Sequence, residues 1–494
     1  MTNHRLHRFG LSKSKITAFE QCSRRLWQQV HAPGRAELDE GAEARFAAGH
    51  EVGALACALY PQGVMVEAEP NLSAAVAETL RLLEEGHPGP IFEATFEHDG
   101  VLVRVDILAR NGNGWRMFEV KSSTGAKDYH RGDLATQVWV AREAGIEVTG
   151  AAIRHLDNGF VLEREGDYDG LFADAELMAE IEGTVSARPS VVEQAREVLA
   201  GPEPEIMPGD HCSKPFSCEF AGWCNRDMPA GPEWPVTILP NGGGRKWLEQ
   251  GIEDLLDLDE RELSQRNARI VAATRSGTPY HDVAGARTAM AEWGWPRAWL
   301  DFETIAFAVP RWIGTRPYQQ VPFQFSLHLE SKDGRIEHHE SLDMTGADPR
   351  TACAEALVRS IPEGATIVAY NAQFERRVLN ELARDCPKRA KALLAMAERT
   401  VDLLPVARNH WYHHDQRGSW SIKAVLPTIG EAGYSGLEVK DGGDAQAAYL
   451  EAIDPATTPE RRSAIEDGLK AYCMRDTSAM IAVARVLVGK AQSV

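Results

Sequence analysis

Residues 102–123, LVRVDILARNGNGWRMFEVKSS, constrain this chain most, because they read as two strands joined by a tight turn. Val101, Val103 and Val105 alternate with Leu102, Arg104 and Asp106, and Asn-Gly-Asn-Gly breaks the run. The second strand carries Glu119 and Lys121, which lie two apart and so point to the same face. A return at 111–114 brings Asp106 beside them. Two carboxylates and one ammonium at a strand end suit a divalent metal and the charge that develops on phosphorus during displacement. The same residues also suit a surface hairpin with solvated charges, so this pattern leaves both readings open.

Helix-like patterns at 11–30, 41–60, 72–85 and 132–143 flank the hairpin and the strand-like runs IFEATFE and AAIRHL, which predicts an α/β core. The length of 494 residues implies roughly three domains. The expected division is 1–228, a linker with a helical connector at 229–295, and 296–494. The connector reads as a solvated spacer packing on one neighbour, with a helix–hairpin–helix element as the alternative.

No stretch is long and apolar enough to span a membrane, and the polar, basic N-terminus lacks the apolar core of a secretory signal. The expectation is a cytoplasmic protein with no membrane partner. A net charge of −19 argues against tight nonspecific nucleic-acid binding. Local patches matter more than the total, and residues 1–36 are basic: Arg5, Arg8, Lys13, Lys15, Arg24, Arg25 and Arg35 face only Glu20.

Of eight cysteines, Cys57, Cys353, Cys386 and Cys473 sit in helix-like patterns and read as small buried hydrophobes. Cys212, Cys218 and Cys224 stand six apart in DHCSKPFSCEFAGWC, which points to metal ligation, with Cys22 of the 11–30 helix as a fourth thiolate. Zinc prefers tighter pairs, whereas iron–sulfur clusters accept variable spacing. His50 shares a helical stripe with Phe46 and Gly53, which suits a core histidine or a metal ligand.

Taken together, His50, Asp106, Glu119-Val-Lys121 and Gln137, bracketed by Cys22 and by Cys212, Cys218 and Cys224, resemble the RecB-like nucleases with an iron–sulfur staple. That resemblance covers about residues 1–228. It implies a restriction-endonuclease-type core, a 4Fe-4S cluster on the four cysteines, and metal ligation by His50, Asp106 and Glu119 with the carbonyl of Val120. It also implies that Lys121 orients or activates the attacking water. The tyrosine that follows Gln137 by four in that family is Ala141 here.

In the second half, RAWLDFET is a short strand carrying Asp301 and Glu303 on one face. Asn371 and Glu375 stand four apart at a helix start, and so do Tyr472 and Asp476 in the C-terminal helix. This order resembles the DnaQ-like 3′→5′ exonucleases over about 296–490, with Glu375 where that family has aspartate. The resemblance implies an RNase H-like fold in which Asp301, Glu303, Glu375 and Asp476 ligate Mg²⁺ or Mn²⁺ and Tyr472 positions water. Asp402 falls where that family ends a strand in aspartate. In the segment after β-strand RAWLDFET, Arg316, Tyr318, Gln319 and Gln324 suit either a grip on a single strand or an ordinary polar strand edge. The chain as a whole resembles a bacterial family that fuses the two nuclease types. This implies a two-site nuclease acting on DNA in repair, processing or defence, beside a helicase or repair partner. The alternative is a nucleic-acid-binding scaffold with one or both sites inactive.

Overall fold

The computed structural model describes residues 10–37, 42–68, 71–226 and 228–490. Arg5 and Arg8, the outermost members of the basic N-terminal stretch, lie outside them. The chain is mixed α/β and divides into two compact units: residues 1–229 with 307–318, and residues 230–306 with 319–494. The connector therefore belongs to the second unit. Its Trp247, Leu255, Ile270 and Val271 are buried, and strand Tyr280–His281 pairs with Trp411–Tyr412 of the same unit. It is a packed element, not a solvated spacer, because its apolar residues find partners that its own local pattern does not announce.

The first unit is built on seven strands: β1 (Leu11–Ser12), β2 (Val64–Met65), β3 (Ile91–His98), β4 (Val101–Asn111), β5 (Gly114–Lys121), β6 (Val148–Leu156) and β7 (Phe172–Glu176). Their order is β2-β3-β4-β5-β6-β7, with β1 parallel to β4. The expected hairpin is β4–β5, with Asn111 opposite Gly114 and Ile107 opposite Phe118. Gly112 has φ +59° at the first central position of the loop. That left-handed conformation, native to glycine, matches the right-handed twist of the two strands. Val101, Val103 and Val105 are buried while Leu102, Arg104 and Asp106 are half-buried, so the alternation puts Asp106 on the other face. The helix Asp128–Glu143 crosses over from β5 to its parallel neighbour β6 and covers the sheet with Leu134, Val138 and Trp139.

Two helical expectations change here. The 11–30 stretch is two helices, Lys13–Gln21 and Ser23–His31, broken at Cys22, whose backbone is extended at φ −164° and ψ 118°. Cys22 thus sits at a helix junction and not inside a helix. On the helix Ala42–Ala58 it is Val52 and Ala56 that face the core, whereas Phe46 is 66% exposed and His50 is exposed too. The stripe inferred from Phe46, His50 and Gly53 is the outer one.

The second unit has, besides the short strand β8 (Tyr280–His281), a five-stranded sheet: β9 (Arg297–Ile305), β10 (Val321–Glu330), β11 (Ile336–Leu342), β12 (Thr366–Ala369) and β13 (Thr400–Asp402). The order β11-β10-β9-β12-β13 makes the first strand central, antiparallel to β10 and parallel to β12. Helices Arg350–Ser360, Gln373–Asp385 and Ala390–Glu398 bury Leu357, Val378 and Leu393 with Leu300 and Phe302 of β9. The long helix Pro459–Leu487 packs on β9 and β10. Of residues 310–328, where the resemblance places strands two and three, 321–328 lie in the strand Val321–Glu330, whereas 307–318 form no strand. They belong to the first unit, where Ala308 and Val309 pack with Val52, Leu156 and Leu171 and the Tyr318 hydroxyl donates to the Ser122 carbonyl at 2.6 Å.

Candidate functional site

Carboxylates gather on the face of β9 that meets the helix Pro459–Leu487. Asp301 and Glu303 alternate with Leu300 and Phe302, so the core takes one face and the acids the other. Across the strand pair, Glu303 lies opposite Gln324 and Asp301 opposite Ser326. This polar stripe finds polar partners on the helix. Gln324 donates to the Leu469 carbonyl at 3.0 Å, Ser326 meets Thr477 at 2.9 Å, and His328 meets Thr477 at 2.8 Å. Those bonds set the rotation of the helix, which brings Tyr472, Cys473 and Asp476 down onto Asp301.

The Cys473 thiol is 3.8 Å from the Asp301 carboxylate, and Asp301, Glu303 and Cys473 offer ligand atoms that all lie within 4.8 Å of one another. Cys473 is buried, as its sequence pattern predicts, and it is packed against the acids. Tyr434 donates to Asp476 and its ring lies 5.9 Å from that of Tyr472, with the Lys423 ammonium 5.3 Å from the Tyr434 ring. Tyr434 and Lys423 carry no spacing signal that ties them to the acids; only the fold does so.

Glu375 enters from the first turn of Gln373–Asp385. Asn371 does not share that helical face: it precedes the helix at φ +71°, a left-handed turn that asparagine tolerates, and its N–H donates to Asp402 at 3.0 Å. Asp402 also caps the next helix through Leu404 N–H at 3.0 Å, so its oxygen is engaged by backbone.

Burial raises all four acids above the ordinary carboxylate range. Asp301 is pushed up by burial and then by Asp476, Glu303 and Glu375. Burial takes Glu303 and Glu375 each up to about 8, helped by Asp476 at Glu303 and by Asp402 at Glu375. Asp476 is also raised by burial, against the pull of hydrogen bonds from Tyr434 and Tyr472. Glu375 is 3% exposed and its Oε2 has no hydrogen-bond partner. Buried carboxylates with too few cations and an orphaned oxygen fit a hard divalent cation, which takes oxygen ligands.

In the first unit Asp106, Glu119, Lys121 and Gln137 also come together. The Asp106 carboxylate accepts from the Val120 N–H at 2.6 Å. Glu119, 2% exposed, accepts from Lys121 at 2.6 Å and from Gln137 at 2.6 Å. Two further residues were not legible in sequence: Lys13 bonds Glu119 at 2.5 Å, and Asp133 pairs with Lys121 at 3.6 Å. Burial and Glu119 push Asp106 up. At Glu119 burial acts the same way but Lys13 and Lys121 outweigh it, which leaves this carboxyl below its usual range. His50 is in none of the metal-ligating groups that close within 4.8 Å among the described residues.

The four cysteines are free thiols of intermediate exposure. Gln21 beside Cys22 donates to the carbonyls of His211 and Phe216 at 2.7 and 2.8 Å, Arg25 pairs with Glu219, and Gln28 lies 3.5 Å from the Cys224 sulfur. The helix junction is thus docked on the 211–224 loop. A tetrahedral zinc holds its sulfurs about 3.8 Å apart, from Zn–S bonds of about 2.3 Å. Among the described residues no three of these thiols close within 4.8 Å of one another.

Gln319 and Gln324 are buried and spent inside the second unit, on Asp385 at 2.8 Å and on Leu469. They are not available to grip a strand, and Arg316 and Tyr318 belong to the first unit.

A family described as a domain of unknown function (DUF2779) matches residues 298–421, a stretch that holds Asp301, Glu303 and Glu375 but not Asp476. "Uncharacterized protein MG366 homolog" of Mycoplasma pneumoniae (strain ATCC 29342 / M129 / Subtype 1) is 27% identical over 211 residues, 38% of this chain and 31% of that protein. The chain thus spans about a third of the length of that relative. No solved structure matches it. Among the described residues no helix is long and apolar enough to cross a membrane.

Proposed function

We propose that the chain is a metal-dependent nuclease with two phosphodiester-hydrolysing sites, acting on DNA ends or single strands. The convergence of Asp301, Glu303, Glu375 and Asp476 in one buried cluster carries this reading. A central first strand, with β10 and β11 to one side and β12 and β13 to the other, supports a DnaQ-like, RNase H-like second unit. The β3–β4–β5 meander with its helical crossover, carrying Asp106 and Glu119 with Lys121, supports a RecB-like first unit.

The four acids of the second unit would hold Mg²⁺ or Mn²⁺, and Asp106 with Glu119 would do so in the first. When bound, such ions neutralise charge on the phosphoryl oxygens and the leaving oxygen. Tyr434 and Tyr472 orient Asp476. Burial raises the Tyr472 hydroxyl far above its ordinary range, so it positions water by hydrogen bonding and does not serve as the base. Lys121 is raised as well: burial opposes this but Glu119 and Asp133 prevail, so it acts as an ammonium that stabilises negative charge. The four thiols would carry a 4Fe-4S cluster that clamps the N-terminal helices to the 211–224 loop.

For the first unit, binding without hydrolysis is the second reading, favoured by the exposure of His50 and by the two ammoniums on Glu119. End-labelled single- and double-stranded DNA and RNA, incubated with Mn²⁺ or chelator, test the proposal. Asp301→Ala should abolish chelator-sensitive degradation from the 3′ end, and Asp106→Ala should remove whatever the first unit contributes. Degradation unchanged in both variants refutes it. Oxygen-free purification should give a visible iron–sulfur absorbance band that Cys218→Ala loses.

A further inference from the structure

The second unit holds a cavity of about 480 Å³, bordered by Tyr370 and Asn371 at the end of β12. Arg266 of the connector and Arg408 of the helix Leu403–His410 both line it, together with Asn371, Ser419 and Ser421. No carboxylate lines it, although the chain carries a net charge of −19. Both guanidiniums are half-buried, neither has a hydrogen-bond or ion-pair partner among the described residues, and the Arg266 Nε is fully buried with nothing to donate to. An arginine drawn partly out of water without an acceptor costs stability unless a ligand supplies one. Two of them at one cavity, with serine hydroxyls between, suit an anion with several acceptor oxygens.

The location selects which anion. Asn371 lines this cavity and also a second one of about 780 Å³, which bears Arg376 and Arg377. Asn371 precedes the helix whose first turn presents Glu375, so both basic cavities border the entry to that helix. A free phosphate needs one such pocket, whereas a strand needs a succession of them.

We propose that Arg266 and Arg408 bind a backbone phosphate of a single-stranded nucleic acid and lead the strand past Asn371 to the carboxylate cluster. The inference rests on the nuclease reading of the second unit for what the strand is brought there to meet. It makes the connector part of the substrate site.

Binding of a fluorescein-labelled single-stranded oligonucleotide, measured by anisotropy in chelator across a salt series, tests the track without any need for hydrolysis. Arg266→Ala/Arg408→Ala should weaken binding by at least about tenfold, from two lost charge-assisted contacts. The slope of log K against log salt should shrink by about 0.7, the value per phosphate neutralised on a single strand. Arg266→Lys/Arg408→Lys should keep the slope, because the charge stays. The alanine pair should melt at or above the wild-type temperature, since among the described residues neither guanidinium has a hydrogen-bond or ion-pair partner to lose.

Wild-type affinity and slope in the alanine pair overturn the track, as does a wild-type protein that binds no strand. Displacement of the oligonucleotide by micromolar nucleoside monophosphate or inorganic phosphate overturns the strand in favour of a small-anion pocket. A protein that binds as described yet cleaves nothing with Mn²⁺ refutes the nuclease reading and leaves this inference standing.

Discussion

Glu375→Gln should stabilise the metal-free protein while it destroys the proposed nuclease site. The carboxyl is 3% exposed and burial carries it from 4.5 to about 8. The sign follows from linkage. Below pH 4.5 the group is neutral whether the chain is folded or not. Between 4.5 and about 8 the unfolded chain ionises it and the fold does not, so stability falls as pH rises through that window. About 3.5 units at about 1.4 kcal/mol each give roughly 4–5 kcal/mol by pH 8. The amide still leaves one buried polar atom unpaired, which returns about 1 kcal/mol, so a net gain of about 3–4 kcal/mol is expected. Urea unfolding in chelator at pH 4, 6 and 8 measures it. At pH 4 the variant should be the less stable by about 1 kcal/mol, and its relative stability should rise steadily above that pH. With excess Mn²⁺ the wild type should recover stability by mass action and the variant much less. Parallel pH profiles in chelator would refute the premise that Glu375 is an uncompensated buried acid.

Three other perturbations reach different parts of the structure. Arg350, 6% exposed, bonds Asp348 at 2.7 Å and Asp385 at 2.9 Å at the far end of the helix that presents Glu375. Arg350→Met should cost about 3 kcal/mol in urea unfolding, because Asp385 is left buried with less compensation, and adding Asp385→Leu should return most of it. His328 is held down to about 4 by burial and by His338. Because the unfolded chain protonates first, stability should fall as pH drops from 6.5 to about 4, and His328→Gln should flatten that limb of the profile. Tyr434→Phe removes the donor to Asp476 and should raise the Mn²⁺ concentration for half-maximal cleavage about 10- to 100-fold; an unchanged titration would remove Tyr434 from the site.

Much of the site was readable because strand geometry is local. A period of two places Glu119 with Lys121, and Asp301 with Glu303, on one face before any partner is known. The Asn-Gly-Asn-Gly turn closes the hairpin by itself, and i,i+4 spacing joins Tyr472 to Asp476. The errors lie where two faces of a helix compete. Phe46 and His50 share a stripe, but which stripe of an Ala-rich helix faces inward is decided by the layer it packs on, and that choice went to Val52 and Ala56. Cys22 sits in helix-forming sequence, yet docking against the 211–224 loop accompanies a break there.

By itself, then, the amino-acid order determined the α/β class, the paired carboxylates on their strands and the spacing of the thiols, all of which follow from chain geometry over a few residues. Only the tertiary structure decided that Lys13 reaches Glu119 across 106 positions, that Tyr434 and Cys473 join Asp476 and Asp301, and that the connector brings Arg266 to the cavity beside Asn371. Such partners meet through packing, and packing depends on the whole set of buried surfaces at once, so no window of sequence contains it.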